Sequence, residues 1–159
     1  MADNGSEKTY EIKTDDGVVR DMENKEINYG DIIRIDTDET GEVSSSTIQR
    51  MYDLKNNEHL QYLGDTSAAR YLTSVRVVPV SVISRQGNYI KYNTIFGTDP
   101  ESTKTSDSVE MGSVASASVF VFDKNNNTIT QTSSARITEG DSFVMNVSLG
   151  TPKMIVYYK

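Results

Sequence analysis

The chain has 159 residues, a formal net charge of −7 and 36% apolar side chains, with no cysteine, no tryptophan and one histidine. This removes disulfides, thiolate chemistry and cysteine-based metal sites, and leaves no run of about 20 apolar residues to cross a membrane as a helix. The acidic balance also opposes a phosphate backbone, whose binding depends on clustered Lys and Arg, so nucleic acid is set aside as a partner.

The polar opening Met1-Ala2-Asp3-Asn4-Gly5-Ser6-Glu7-Lys8 has no apolar core of a secretory signal and reads as the start of an excised fragment. Thr9-Tyr10-Glu11-Ile12-Lys13 alternates, Asp15-Asp16-Gly17 supplies a turn and Val18-Val19-Arg20 resumes, which predicts a hairpin. Ile27 then stands three residues before a Gly30-Asp31 corner, and Ile32-Ile33-Arg34-Ile35 follows as a strand. The turn Asp36-Thr37-Asp38-Glu39-Thr40-Gly41 leads to Glu42-Val43 and a strand-like stretch from Thr47 to Leu54. Residues 1–54 are thus expected to form a first β module, a meander or small barrel.

Residues 55–72 lose the alternation and gain Asn, Gly and Ala, as a connecting segment with room for one helical turn. A second β module is expected over 73–159. Val75 to Ile83 opens it as a long β-rich run, in which Pro79 argues for an edge strand or a bulge. Arg85-Gln86-Gly87-Asn88 turns into Tyr89 to Phe96, and the Ser- and Thr-rich residues 97–112 read as a long exposed loop. Strands are expected again at Ala117 to Phe122, Thr128 to Gln131, Phe143 to Val147 and Met154 to Tyr158, with turns at 123–127 and 149–152.

Before the third of these lies Arg136-Ile137-Thr138-Glu139-Gly140-Asp141, a second Gly-Asp corner 110 residues after the first. Tyr10-Glu11-Ile12 corresponds upstream to Phe120-Val121-Phe122, and Gly41 falls near Gly150 downstream, so the fold class expected is all-β, two small mostly antiparallel β-barrel-like or meander modules related by internal duplication. Gly30 and Gly140 are read as backbone-geometry positions, Ile27 and Ile137 as core, and Asp31 and Asp141 as hydrogen-bonding groups at the turn. Charge is uneven: residues 1–72 carry sixteen acids and eight bases, residues 73–159 seven and eight. A solvated acidic face explains that bias; end-to-end contact between neighbouring modules is the other reading.

No residue is assigned a catalytic, cofactor-binding or metal-binding role. Nucleophilic catalysis wants a base beside the nucleophile, and the lone His59 lies in an irregular stretch without a Gly-x-Ser-x-Gly elbow or a His-x-x-His pair. Asp36, Asp38 and Gly41 match positions 1, 3 and 6 of a calcium loop, yet Thr47 stands at position 12, where the bidentate acid belongs, and a hairpin turn explains the same residues. Among nine tyrosines, Tyr89 and Tyr92 fall on opposite faces of one strand, as do Tyr157 and Tyr158, so at least one of each pair belongs to core or interface and the others could form a carbohydrate-binding face. The glycosylation-type triplets at Asn4, Asn126 and Asn146 are short enough to arise by chance.

Tyr89-Ile90-Lys91-Tyr92, Ala117 to Asn125, Arg136 to Asp141 and Pro152 to Lys159 together resemble repeat modules of large surface proteins from clostridia and related Gram-positive bacteria, proteins that often also carry S-layer homology domains. The segments Glu7 to Ile12, Gly30 to Ile35 and Gly41 to Val43 are similar to the latter part of such a module. The resemblance implies an extracellular, non-catalytic spacer or assembly module of a cell-surface or cell-wall protein, with neighbouring modules and cell-wall glycan as partners and no cofactor. A phage virion or tail subunit and a carbohydrate-binding module remain as alternatives.

Overall fold

The structure, a computed structural model, describes residues 9–12, 14–43, 48–56, 58–59, 75–94 and 108–159. The chain divides into two compact units: the described residues up to 59 belong to the smaller and those from 75 onward to the larger. All regular structure described is β apart from a 3-10 turn at Ser134–Arg136.

The smaller unit holds β1 (Ile32–Ile35), β2 (Ile48–Asp53) and the short β3 (Glu58–His59), antiparallel in the order β1-β2-β3. Ile32, Val43, Ile48, Met51 and Tyr52 are its buried apolar residues. The expected hairpin over residues 9–20 is absent from residues 9–12 and 14–20: the one pairing described there is an isolated bridge, Arg20 to Glu26. Tyr10-Glu11-Ile12 alternates, but alternation makes a strand only where a neighbour supplies hydrogen bonds, and no partner strand is described there. Of the segment expected to connect the modules, residues 55 and 56 belong to the turn after β2 and 58–59 form β3; residues 57 and 60–72 lie outside the described residues.

The larger unit is one seven-stranded sheet built from β4 (Val75–Gln86), β5 (Tyr89–Thr94), β6 (Ser108–Ser113), β7 (Ser118–Asp123), β8 (Thr128–Thr132), β9 (Ser142–Ser148) and β10 (Thr151–Tyr158). Its order is β6-β5-β4-β9-β10-β7-β8, antiparallel throughout except that β10 runs parallel to β7. Gly87 and Asn88 form the two-residue β4–β5 turn, with Gly87 at φ 59°, a conformation that glycine adopts without penalty.

The strand order dictates that the sheet is rolled. β6 and β7 stand five strand positions apart, about 24 Å across a flat sheet. Only four residues, Val114 to Ala117, join them, a reach of about 18 Å even when extended. The Ala117 N–H to Val114 carbonyl bond shortens that reach further. The β6 edge therefore curls over β10, and a Cβ built on Gly112 would lie 2.8 Å from Cδ of Pro152. Among the described residues the sheet is open, with β6 and β8 as its two ends, and no closed barrel forms, which removes the barrel-like alternative of the barrel-like or meander expectation.

Inside the roll, Val78, Val80 and Val82 of β4, Ile90 and Tyr92 of β5, Phe143, Met145 and Val147 of β9, and Ile155 and Tyr157 of β10 pack into one core with Val114, Val119 and Ile137. Each fully buried aliphatic or aromatic side chain here contributes about 1.5–3 kcal/mol. Phe120, Phe122, Val144, Met154 and Val156 alternate with these and are buried too, so β7, β9 and β10 read as nearly continuous apolar runs, as strands covered on both faces do.

Two further expectations are corrected. The exposed loop over 97–112 ends by Ser108, because residues 108–113 form β6; residues 97–107 lie outside the described residues. Pro79 sits on an interior strand, not an edge. It pairs with Val144 on β9, and the described pairing to β5 starts at the next residue, Val80, so its missing N–H interrupts no described β4–β5 bond.

Candidate functional site

The two Gly-Asp corners share one local geometry. The Asp31 N–H donates to the Asn28 carbonyl at 3.1 Å, and the Asp141 N–H donates to the Thr138 carbonyl at 3.2 Å. Gly30 at φ 90° and Gly140 at φ 86° occupy the third position of these turns, where a type II turn needs positive φ. Each aspartate then reaches back: Asn28 N–H donates to Oδ2 of Asp31, and Thr138 N–H to Oδ2 of Asp141, both at 2.9 Å. Each also ties the end of the strand that will pair with the one just beginning. Leu54 N–H, just past β2, donates to Oδ1 of Asp31 at 2.9 Å, and the Tyr157 hydroxyl on β10 donates to Oδ2 of Asp141 at 2.7 Å. Ile137 is buried in the core while Ile27 is only half-buried, so the apolar position before the corner is core in one case alone.

Around the second corner the polar groups form a chain. Arg85, near the end of β4, donates from Nη1 to the carbonyls of Ser134 and Ile137 at 2.7 and 2.8 Å, and from Nε to that of Gly87 at 2.8 Å. This holds the 3-10 turn and delivers Arg136 over the Tyr157 ring, 4.4 Å from its centroid. Phe143 packs against the same ring edge-on, with centroids 5.1 Å apart. Burial, and then the Asp141 carboxylate, push the Tyr157 phenol well above its ordinary value. For Asp141, burial opposes the charge, but the Thr138 N–H and Tyr157 hydroxyl outweigh it and hold the carboxyl below its usual range.

The first corner borders a buried charge cluster. Arg50 lies in β2 between three buried aspartates: its Nη1 is 2.9 Å from Oδ2 of Asp53 and 3.9 Å from Oδ2 of Asp31, and its Nε is 3.7 Å from Oδ2 of Asp21. Nη1 also donates to the Glu26 carbonyl at 3.2 Å, while Nε has no hydrogen-bond partner among the described residues. Each carboxylate is held in turn by its own loop. Asp21 accepts the N–H groups of Glu23 and Lys25, and Asp53 accepts the N–H and side-chain amide of Asn56. With all four groups ionised the cluster carries a net −2. Burial, reinforced by the nearby Asp53 charge, pushes Asp31 up despite two backbone N–H bonds. At Asp53 burial opposes the charge, but the Asn56 bonds and the Arg50 guanidinium outweigh it and bring the carboxyl down.

Comparison with protein-family models, with curated proteins and with solved structures finds no match.

Of the side chains weighed from sequence, that of His59 lies outside the described residues. Asp38 folds onto its own turn, its Oδ1 accepting from Thr40 N–H, the Thr40 hydroxyl and Glu42 N–H at 2.7–2.9 Å, and these bonds hold its carboxyl below the usual value. Among the described residues no set of three His, Asp or Glu side chains is placed to hold a metal ion, and no helix is long and apolar enough to cross a membrane. Tyr89 is 57% exposed while Tyr92 is 1% exposed, as strand alternation requires. Arg50 carries no motif, but its signal was present: it shares a strand face with Ile48 and Tyr52, where a charged residue has to be paired.

Proposed function

We propose that this chain is a non-catalytic structural module of a bacterial cell-surface protein, a spacer or assembly element that works beside neighbouring modules. The observation that carries the structural role is the use of the carboxylates at both corners: Asp31 and Asp141 are bound to backbone N–H groups and to the strand they brace, which leaves their oxygens engaged in holding turns. The Arg50 cluster extends the same use to Asp21 and Asp53. The surface address rests on the resemblance over residues 89–92, 117–125, 136–141 and 152–159. The matched turn, reach-back bond and strand tie at the two corners also support descent of the two units from one duplicated module.

The test is to locate the full-length protein in the cells that make it. Recovery in the wall fraction, with cleavage by protease added to intact cells, is expected. Recovery in the cytosol, or in purified phage particles, would overturn the surface reading.

The exposed ring of Tyr89, with Lys91 beside it on the same face of β5, favours a carbohydrate-binding reading as the second choice. A glycan array probed with the intact chain decides it, and Tyr89→Ala must abolish any signal found.

A further inference from the structure

The seven-stranded sheet has two ends, and they are built differently. The β6 end carries Glu110 and is rolled toward β10, with Gly112 against Pro152. The β8 end is open. β8 is hydrogen-bonded to β7 on one side in five consecutive pairs without a bulge, and no described strand lies on its other side. Thr128, Ile129, Thr130 and Gln131 are all exposed, so neither face of the strand is buried.

Soluble proteins commonly blunt such an edge with Lys, Pro, a bulge or a covering loop. Among the described residues none of these protects β8. Residues 125–135 contain no ionisable side chain and no proline, in a chain whose net charge is −7. Threonine and isoleucine also favour extended backbone.

We propose that β8 is a homotypic docking edge, at which a second copy of this chain adds its own β8 antiparallel and joins two sheets into one. Two arguments choose a second copy as the occupant. Residues 125–135 carry no charge, so two copies of this edge meet without like charges opposed, whereas a charged partner strand would find no counter-charge on it. The strand is also self-complementary about its centre. Antiparallel pairing about Thr130 sets Thr130 against Thr130, Thr128 against Thr132 and Ile129 against Gln131. Threonine pairs are favourable cross-strand neighbours, and no charged side chain of the strand opposes another. The pairing does not depend on a cell-surface address and is tested separately from it.

The test is sedimentation equilibrium of the intact chain over a rising concentration series, beside Thr130→Lys and Thr130→Glu. Thr130 is exposed, and circular dichroism checks that both variants keep the fold. The wild-type chain is expected to dimerise. Either variant alone places like charges directly opposite and weakens the dimer about fivefold or more, and an equimolar mixture of the two recovers association. A wild-type chain that stays monomeric throughout would overturn the proposal. So would a dimer equally strong in Thr130→Lys, or a mixture that associates no better than either variant.

Discussion

The hydroxyl of Tyr157 donates to Oδ2 of Asp141 at 2.7 Å, and this bond fastens the end of β10 to the corner from which β9 starts. Because β9 and β10 are hydrogen-bonded neighbours, the bond closes their hairpin at the end opposite its Leu149-Gly150 turn. Tyr157→Phe keeps the ring against Phe143 and removes only the donor. A hydrogen bond to a charged acceptor contributes about 1.5–3 kcal/mol, so urea denaturation followed by circular dichroism should show a loss of that size. The raised phenol fixes the sign at alkaline pH. Its contribution is complete below the ordinary tyrosine value of about 10 and is lost as pH rises through the folded value, and Tyr157→Phe removes that dependence.

Glycine substitutions separate two causes of strain. At Gly140, with φ 86° and nothing within 4 Å of an added Cβ, alanine meets only the backbone penalty, about 1–2 kcal/mol. At Gly112 the new Cβ meets the rigid Pro152 ring at 2.8 and 2.9 Å, so β6 or β10 has to shift, at about 1–3 kcal/mol. Pairing Gly112→Ala with Pro152→Ala should recover most of the second loss and none of the first, as thermal denaturation of the four variants would reveal.

Removing Arg50 strands three buried carboxylates. Arg50→Ala is expected to destabilise the smaller unit by about 3–5 kcal/mol, the cost of breaking a buried pair from one side. Hydrogen exchange resolved by residue is the measurement, since faster exchange should concentrate in β1 and β2 and spare β4–β10.

Asp53 sits below its ordinary value in the folded state, so the stability it supplies is present above the unfolded carboxylate value of about 4 and is lost as pH falls through the folded one. Asp31 is shifted the other way, and its contribution is present at low pH and lost as pH rises. Asp53→Asn should therefore lower stability at neutral pH and flatten the acid limb of the smaller unit's stability curve. A limb as steep as that of the wild type would contradict the assignment.

The exposed pair Asp16–Arg20 gives a direct titration. The Arg20 guanidinium donates to both carboxylate oxygens of Asp16, at 3.0 and 2.7 Å, and with the Val18 N–H it holds the Asp16 carboxyl at about 2. Carbon-detected NMR should find it there, and Arg20→Gln should return it toward the ordinary value.

The parts of the fold legible in the sequence are those fixed by neighbours in the chain. Tyr89-Ile90-Lys91-Tyr92 alternates and is a strand with alternating burial, and the Gly-Asp words predict positive-φ turns closed by a carboxylate. What could not be read is set by distant partners. In β6 the usual pattern is inverted: Val109 and Met111 are 56% and 68% exposed, whereas Gly112 is buried because Pro152 needs the space of a side chain. A strand with its apolar residues outward looks like a loop. The parallel pairing of β10 with β7 leaves no local mark either, since every other pairing in the sheet is antiparallel. The Arg50 cluster brings Asp21 and Asp31 from two separate turns to Asp53 of its own strand, and that long-range convergence has no local mark in the sequence.

The central strand order also has a mechanical consequence. Val75 at the start of β4 pairs with Ser148, and Val156 near the end of β10 pairs with Val144, so the chain enters and leaves the sheet at opposite ends of β9. Tension applied along the chain would pull β4 and β10 past β9 in opposite directions, loading the hydrogen bonds of both ladders together instead of opening them one at a time. The parallel ladder to β7 adds a third set on the far side of β10. A sheet threaded in this way resists stretching by shear, its strongest direction.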